Sequence, residues 1–220
     1  MNTTEVFSLF QQYADEPDAT WLTDADIQTY LDRGYDEFRR IVVELDPNIY
    51  YTSVNVTFSG DTYDLGGAVT PVRILGPSPT TTRLEYLLGV HAINGSGEIV
   101  FSYELVPTRR ALNGVTQTAL LTGTTLRLSG TRTGDVLLEY VPASDINWLA
   151  AAGFIDDLTM YHDVIALLAY KQYAIRDGAI NTPLYEQMQR RIQDLTDYIV
   201  QRNGNASHYV TKTMRTYAVR

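Results

Sequence analysis

The chain has 220 residues, no cysteine and a formal net charge of −9 at pH 7. This length allows one domain or two small ones, and 45% hydrophobic against 20% charged residues excludes disorder of the whole chain. The absence of cysteine excludes disulfides, thiolate metal sites and thiol nucleophiles. No apolar run approaches the roughly 20 residues that cross a bilayer. Met1–Phe10 lacks the basic start of a signal peptide. We therefore expect a soluble protein made in the cytoplasm.

The charge is unevenly distributed along the chain. Residues 202–220 hold four basic residues and no acidic one, whereas residues 1–201 hold 13 basic and 26 acidic residues. A general nucleic-acid binder normally has the opposite net charge, because phosphate contacts need Lys and Arg. The sequence therefore predicts an acidic body with a basic tail.

The N-terminal region has the spacing of helices. A short helix is predicted from about Thr4 to Tyr13. A longer amphipathic helix follows, with Thr23 as its N-cap and Asp26 in a variant capping box, and Asp46-Pro47 ends it. Its inward stripe is predicted to be Ile27, Tyr30, Leu31, Gly34, Tyr35, Phe38, Ile41 and Val42. The opposite face is Asp32, Arg33, Asp36, Glu37, Arg39 and Arg40.

From Tyr50 onward the hydrophobic period changes to two, which is typical of strands. The first strand contains Val54, Val56 and Phe58, and Gly60-Asp61 predicts a turn before Thr62–Leu65. Further strands are predicted at Val72–Leu75, Leu84–Ile93, Glu98–Leu105, Ala119–Leu121, Thr125–Leu128 and Val136–Val141. Short strands with frequent turn signals, among them Gly134-Asp135, indicate a small antiparallel sandwich or barrel.

The helical period returns near the C-terminus. Leu158–Arg176 is predicted to be a long helix that Asp177-Gly178 ends. Thr182, as cap before Pro183, begins another helix with a stripe of Met188, Ile192, Leu195 and Ile199. Ala143–Phe154 is ambiguous, and we interpret it as a short helix that leads into a loop. We therefore predict an α+β fold: a helical bundle of residues 1–48 and 143–202, a β-rich insertion of residues 49–142, and an extended arm of residues 203–220.

The arm alternates Thr, Val and Tyr, which favours an extended conformation. Because no strand is near it in the sequence, we expect the arm to add a strand to the sheet of another protein. Its predicted docking residues are Tyr209, Val210, Lys212, Met214, Arg215, Tyr217 and Arg220. A disordered, solvated end is an alternative, and contact of Arg215 and Arg220 with DNA is another.

No local pattern predicts catalysis, a metal or a cofactor. The three histidines, His91, His162 and His208, lie far apart in the sequence, and zinc-binding motifs are absent. Gly66-Gly67 and Asn94–Gly97 have no phosphate-loop spacing and predict turns. The acidic pairs Asp24/Asp26 and Asp156/Asp157 fit helix N-termini, where carboxylates complement the helix dipole. The 16 tyrosines suggest a subunit with several protein interfaces.

The order of the segments resembles the head-to-tail adaptor (connector) proteins of tailed phages. Residues 21–27 and 35–38 resemble the first long helix of that family, and residues 63–65 with 71–75 its early β segment. Residues 126–128 and 133–142 resemble its final hairpin, and residues 161–170 the helix after it. The resemblance covers most of residues 20–200.

The resemblance implies a non-enzymatic virion protein at the head-tail junction, assembled in the host cytoplasm. Adaptor subunits form a ring, usually twelve-fold, beneath the portal protein, and they carry a tail or nozzle protein on the other side. Genomic DNA passes through the channel without specific binding, and a C-terminal segment docks into the portal. Two alternatives stay open: another tail, nozzle or completion protein, or, from a different class, an enzyme or a ligand- or carbohydrate-binding module built on the β region.

Overall fold

The structure, a computed structural model, describes residues 1–15, 22–66, 72–73, 82–113, 117–144, 146–178, 181–205 and 217–218. The described residues form helices and a small closed β-barrel. The helices are α1 (Thr3–Tyr13), α2 (Asp24–Leu45), α3 (His162–Asp177) and α4 (Thr182–Asn205). The strands are β1 (Thr52–Asp64), β2 (Val72–Arg73), β3 (Thr82–Ile93), β4 (Ile99–Leu105), β5 (Thr118–Thr122), β6 (Thr125–Pro142) and β7 (Tyr217–Ala218).

The chain divides into two compact units. The helical unit is Met1–Asp46 with Ser144–Tyr209, and the barrel unit is Pro47–Ala143 with Val210–Arg220. By sequence, the helical unit holds 19 acidic and 8 basic residues, a net of −11, whereas the barrel unit holds 7 acidic and 9 basic residues, a net of +2. The negative charge of the protein is therefore concentrated in the helical unit.

The packing of α2 against α3 depends on Gly34. A Cβ at this position would lie 2.7 Å from the carbonyl oxygen of Ile165 and 2.8 Å from the amide nitrogen of Ala169. Both atoms belong to the main chain of α3 and cannot rotate away. The missing side chain lets the two helices approach closely, and this packing buries Ile165 completely.

The helix boundaries follow local signals in most places. The capping box of α2 is confirmed: the Asp26 amide donates to the Thr23 hydroxyl at 3.2 Å, and the Asp26 carboxylate accepts from Thr23. The hydrogen bonds that its carboxylate accepts from Thr23 lower the pKa of Asp26. At α4 the predicted cap was wrong, because the Asn181 side chain, one residue before Thr182, accepts from the Leu184 amide at 3.3 Å.

One residue of α2 departs from the predicted amphipathic pattern. Arg39 was assigned to the solvent face, but only 5% of it is exposed. Its guanidinium carbon lies 5.6 Å from the centre of the Tyr35 ring. A cation over an aromatic face is stabilised by the ring quadrupole, so Arg39 belongs to the interior of the helical unit.

Strand β6 organises the barrel. One edge of β6 pairs with β1, while its other edge pairs first with β5 and then with β3. Together with the β3–β4 and β4–β5 pairings, this closes the sheet. The pairs β4–β5 and β2–β3 are parallel, so the expectation of a purely antiparallel sheet was wrong.

Two predicted turns are irregularities within continuous strands. Gly60-Asp61 lies inside β1, where the register with β6 shifts between Gly60 and Thr62. Gly134-Asp135 lies inside β6, which runs through Gly134 with φ of +130° and Gly130 with φ of +106°. Glycine permits these angles without the steric cost of a side chain. The glycines therefore bend the strands and do not end them.

The interior of the barrel is apolar and draws on all the long strands. Phe58, Val90, Ala119, Leu126 and Leu138 are completely buried there. The bend of β6 is held by Arg132, whose Nη2 donates to the carbonyl oxygens of Ile93 at 2.9 Å and Asp135 at 3.0 Å.

The segment before α3 is a loop, which resolves the ambiguity over Ala143–Phe154 within the residues that the structure describes there. A short 3-10 helix, Thr159–Tyr161, precedes α3, so the α-helix begins four residues later than the predicted Leu158. Gly178 ends α3 in the left-handed conformation, with φ of +70°, as predicted.

Candidate interaction surfaces

The predicted docking arm falls mostly outside the described residues. Tyr209, Val210, Lys212, Met214, Arg215 and Arg220 lie outside them, and so does His208. Tyr217 is described as part of β7, whose two residues pair antiparallel with Tyr86 and Leu87 of β3. The end of the arm therefore adopts strand geometry on an edge of the barrel of its own chain.

The first candidate for chemistry in the helical unit is a buried polar network around Asp156. The Tyr35 hydroxyl donates to Asp156 Oδ2 at 3.0 Å, and the Leu158 amide donates to Oδ1 at 2.9 Å. His162, which is completely buried, places Nε2 2.7 Å from Oδ1 and Nδ1 2.6 Å from the carbonyl oxygen of Met1. Because a carbonyl only accepts, His162 Nδ1 carries a hydrogen.

This network corrects the prediction for the Asp156/Asp157 pair. Asp156 does not complement a helix dipole; it accepts hydrogen bonds in the interior. Burial, together with the negative charge of Asp156, raises the pKa of Tyr35 well above its usual value, so the hydroxyl stays protonated and remains a donor. His162 has no exposed surface, and the network therefore ties elements together and does not present a reactive group.

The loop that contains Asp156 is attached to the rest of the helical unit at several points. The hydroxyl of Thr3 donates to the Ala150 carbonyl at 2.8 Å and accepts from the Gly153 amide at 2.8 Å. Trp148 is buried, and its Nε1–H donates to Asp32 Oδ1 at 2.7 Å. Partial burial raises the pKa of Asp32, although this hydrogen bond acts in the opposite direction. These contacts attach the loop to α1 and α2.

This anchored loop presents three large apolar side chains to solvent. Leu149 is 53% exposed, Phe154 72% and Met160 74%. An isolated apolar residue at the surface is ordinary, but these three occur within twelve positions of one segment, the loop and the 3-10 helix that follows it, which is held by buried contacts. We call them the apolar loop. Exposed apolar side chains on a rigid support are suited to protein–protein contact.

A second apolar feature lies between α3 and α4. It is a groove of about 310 Å³. Its lining residues are Leu167, Tyr170, Lys171, Ala174, Ile175, Asn181, Leu184, Tyr185 and Met188. Ile175 is 61% exposed and Tyr185 46% exposed at its rim. We call it the α3–α4 groove.

The position of α4, and so the groove, is fixed by Arg191. Its guanidinium binds both carboxylate oxygens of Asp163, at 2.6 and 2.8 Å, and donates to the Met160 carbonyl at 2.8 Å. The same group lies 5.2 Å from the centre of the Tyr161 ring. Bidentate pairing to a carboxylate is a strong and directional contact, so α4 is held against the start of α3.

The barrel carries a row of polar side chains across neighbouring strands. Ser102 Oγ lies 2.7 Å from His91 Nδ1, and His91 Nε2 lies 3.0 Å from Glu139 Oε2. The Tyr51 hydroxyl donates to the other oxygen of Glu139 at 3.0 Å. Serine, histidine and a carboxylate in this order are the parts of a nucleophilic triad when each pair is hydrogen-bonded. Here His91 Nε2 lies within ion-pair distance of Glu139 but makes no hydrogen bond, whereas Ser102 faces His91 across the neighbouring strands β3 and β4.

Within the described ranges, no three His, Asp or Glu side chains are placed to hold a metal ion. No described helix is long and apolar enough to cross a membrane. No protein-family model matches the chain, and no curated protein sequence resembles it detectably.

Sequence reasoning missed the groups that the tertiary structure brings together. His162 and Asp156 are six positions apart and Tyr35 is far away in sequence, so no spacing rule links them. The apolar loop left one trace: Leu149 and Phe154 lie in the ambiguous segment Ala143–Phe154, whereas Met160 falls within the predicted helix Leu158–Arg176. Large apolar residues without a period in a folded chain are a usable signal for an exposed contact surface.

Proposed function

We propose that this protein is a structural subunit of a phage particle, a head-to-tail adaptor that forms a ring beneath the portal and joins the capsid to the tail. In this proposal the helical segments form the bundle that makes ring contacts, the barrel meets the tail-side partner, and the C-terminal arm docks into the portal. Genomic DNA passes through the channel without specific binding, which an acidic helical unit favours by charge repulsion.

The observation that carries the proposal is the strand at the end of the arm. Tyr217 and Ala218 pair with the edge of β3, so this basic, Thr/Val/Tyr-rich segment can add itself to a sheet. Strand addition supplies main-chain hydrogen bonds and is a common way for a terminal segment to bind a partner. The order of helices, barrel and helices along the chain agrees with the order that the family resemblance implies.

The test is loading onto the portal ring of the same virus, measured by native mass spectrometry. We expect the full-length chain to load as a ring and a chain ending at Gln201 to fail. A matched control replaces Lys212, Arg215 and Arg220 with Gln, which removes the charge of the arm but keeps its length. If the control loads as the full-length chain does, the arm docks by main-chain pairing. If the control fails to load, the arm docks by charge.

Loading of the chain that ends at Gln201 would contradict the docking role of the arm and leave the adaptor in place. If neither chain loads while both are folded by circular dichroism, the adaptor proposal fails. Loading of either chain onto a tail protein, with none onto the portal, would then favour another tail, nozzle or completion protein.

A second candidate of a different class rests on the Ser102–His91–Glu139 row. If that row activates the Ser102 hydroxyl, a fluorophosphonate probe will label the protein, and both Ser102→Ala and His91→Ala will abolish the labelling. The adaptor proposal expects no label, measured by intact-protein mass. If the wild type is labelled and both variants are not, the result favours an enzyme. If Ser102→Ala is still labelled, the probe has reacted with another residue, and the Ser102–His91–Glu139 row is not supported as an active site.

A further inference from the structure

We infer that the barrel carries a binding site for a phosphate group, in which the guanidinium groups of Arg109 and Arg127 bind the phosphate oxygens. The ligand class is inorganic phosphate or the phosphate of a small monoester. The inference goes beyond the proposed adaptor function and does not depend on it, because every residue of the site belongs to the barrel unit of one chain.

The site is a cavity of about 230 Å³ that three elements of the barrel unit line. Strands β5 and β6 contribute four of its residues, and a 3-10 helix, Arg109–Asn113, which packs against both strands, contributes the fifth. The lining residues are Arg109, Leu120, Thr122, Thr125 and Arg127. We call this site the β5–β6 cavity. Four of its five side chains carry hydrogen-bond donors, and two of those four are cations.

The alternation of side chains along β6 places the β5–β6 cavity on the outer face of the barrel. Thr125 and Arg127 are two positions apart, so their side chains lie on the same face of the sheet. Leu126, between them, is completely buried in the apolar interior. Thr122 of β5 is set opposite Thr125 in the strand register. The polar lining therefore faces away from the core, where a charged ligand can enter from solvent.

The positive charge of the β5–β6 cavity has no counter-charge in the barrel unit. All seven acidic residues of that unit belong to the described ranges. Within those ranges neither Arg109 nor Arg127 makes an ion pair or a hydrogen bond. The register sets Asp64 opposite Thr125, but Asp64 Oδ1 accepts from the Gly66 amide at 2.8 Å. Two guanidinium groups without an acidic partner at one cavity favour the binding of an anion.

The number of donors and the charge of the β5–β6 cavity favour phosphate over a carboxylate. A guanidinium presents five N–H donors in a planar fork that matches phosphate geometry, and the hydroxyls of Thr122 and Thr125 add two more. A carboxylate has two oxygens and one negative charge. A phosphate monoester has three free oxygens and a charge of about −1.5 to −2 at pH 7, which the two arginines balance. A phosphodiester carries a single charge and matches the site less well.

The experiment titrates the isotopically labelled full-length chain with inorganic phosphate at constant ionic strength. Binding is followed by the NMR signals of the arginine Nε–H groups and of the main-chain amides. Arg109→Gln and Arg127→Gln each remove one cation from the cavity, and Arg127→Lys keeps the charge but removes the planar fork. Arg83→Gln is the matched control, because Arg83 is an exposed arginine of β3 in the same unit that does not line the cavity.

We expect saturable shifts of the Arg109 and Arg127 side-chain signals, with a dissociation constant on the order of 1 mM. Each Gln variant should bind phosphate about fivefold more weakly or worse, since each loses charge-assisted hydrogen bonds. Arg127→Lys should have an intermediate affinity, and Arg83→Gln should bind as the wild type does. Methyl phosphate should bind as tightly as inorganic phosphate, whereas acetate should bind about fivefold more weakly.

The inference is overturned if the shifts do not saturate, or if both Gln variants bind phosphate as the wild type does. Acetate that binds as tightly as phosphate would overturn the phosphate class and indicate a carboxylate ligand. A single-stranded oligonucleotide without terminal phosphates provides the last arm. If it binds more tightly than methyl phosphate and both Gln variants lose that binding, the ligand is a phosphodiester and not a monoester.

The main-chain amide spectrum of each variant checks that the barrel is folded. Arg109 is exposed on its 3-10 helix, so Arg109→Gln should fold as the wild type does. If Arg127→Gln does not fold, Arg109→Gln and Arg127→Lys decide the outcome by the same criteria.

Discussion

In the helical unit the polar contacts between elements are made by side chains, whereas in the barrel they are made mainly by the main chain. Asp156, Asp163 and Asp32 each accept hydrogen bonds from a residue far away in the sequence. In the barrel, β6 alone pairs with β1, β3 and β5. A helix satisfies its own main chain locally, so its tertiary partners must be specified by side chains. A strand satisfies its main chain only by pairing, so the ladder itself is the tertiary contact.

The largest test of this comparison uses the two described histidines. His162→Ala should cost about 3–5 kcal/mol of unfolding free energy, because it breaks a fully buried polar pair. His91→Ala, in the partly exposed row on the barrel, should cost about 1 kcal/mol or less. Both tryptophans, Trp21 and Trp148, belong to the helical unit by sequence. Urea unfolding of the His162 variant is therefore followed by their fluorescence, and that of the His91 variant by far-UV circular dichroism, which also reports on the strands. Equal losses for the two variants would contradict the comparison.

The next test compares two glycines. Gly34→Ala places a methyl group against the main chain of α3 and should lose about 2 kcal/mol, although alanine favours a helix by about 1 kcal/mol over glycine. Gly60→Ala is the matched control in the barrel, where nothing lies within 4 Å of the added carbon. Its effect should stay within about 0.5 kcal/mol. A Gly34→Ala protein as stable as the wild type in urea would mean that α2 and α3 pack less closely.

A smaller effect is expected at the start of α2. Thr23→Ala removes the hydroxyl that accepts from the Asp26 amide and should cost about 1 kcal/mol. Thr57→Ala is a barrel control, since its hydroxyl bonds the Asp135 side chain on an exposed face. Hydrogen exchange at residues 24–27 should rise in the first variant only. Unchanged protection there would show that the cap contributes little.

The smallest effect concerns the pH dependence of stability. The pKa of Asp32 is raised in the folded protein, so folding favours the protonated carboxyl. The stabilisation is present below the unfolded pKa and is lost as the pH rises through the folded pKa. Asp32→Asn keeps an acceptor oxygen for Trp148 and does not titrate. The stability of this variant relative to the wild type should therefore increase with pH above about 4. A urea midpoint difference that is constant from about pH 3 to pH 7 would contradict the raised pKa.

The sequence by itself determined the elements whose signals are local. The α2 capping box spans four residues, Thr23 to Asp26, and Gly178 ends α3; both act through the main chain of their immediate neighbours. The two-residue hydrophobic period predicted the ends of β3 and β4 to within two residues. These features could be predicted because the atoms that interact are also close in the sequence.

The tertiary structure alone decided the rest. Arginine is usually found at the surface, yet Arg39 lies over the Tyr35 ring. Gly134 is a residue typical of turns, yet it lies within β6, where it pairs with Phe58 of β1. The Asp156–His162–Tyr35 network and the α3–α4 groove are assembled from distant segments. Burial and strand pairing depend on which segments are in contact in the folded chain. Local spacing in the sequence does not indicate those contacts.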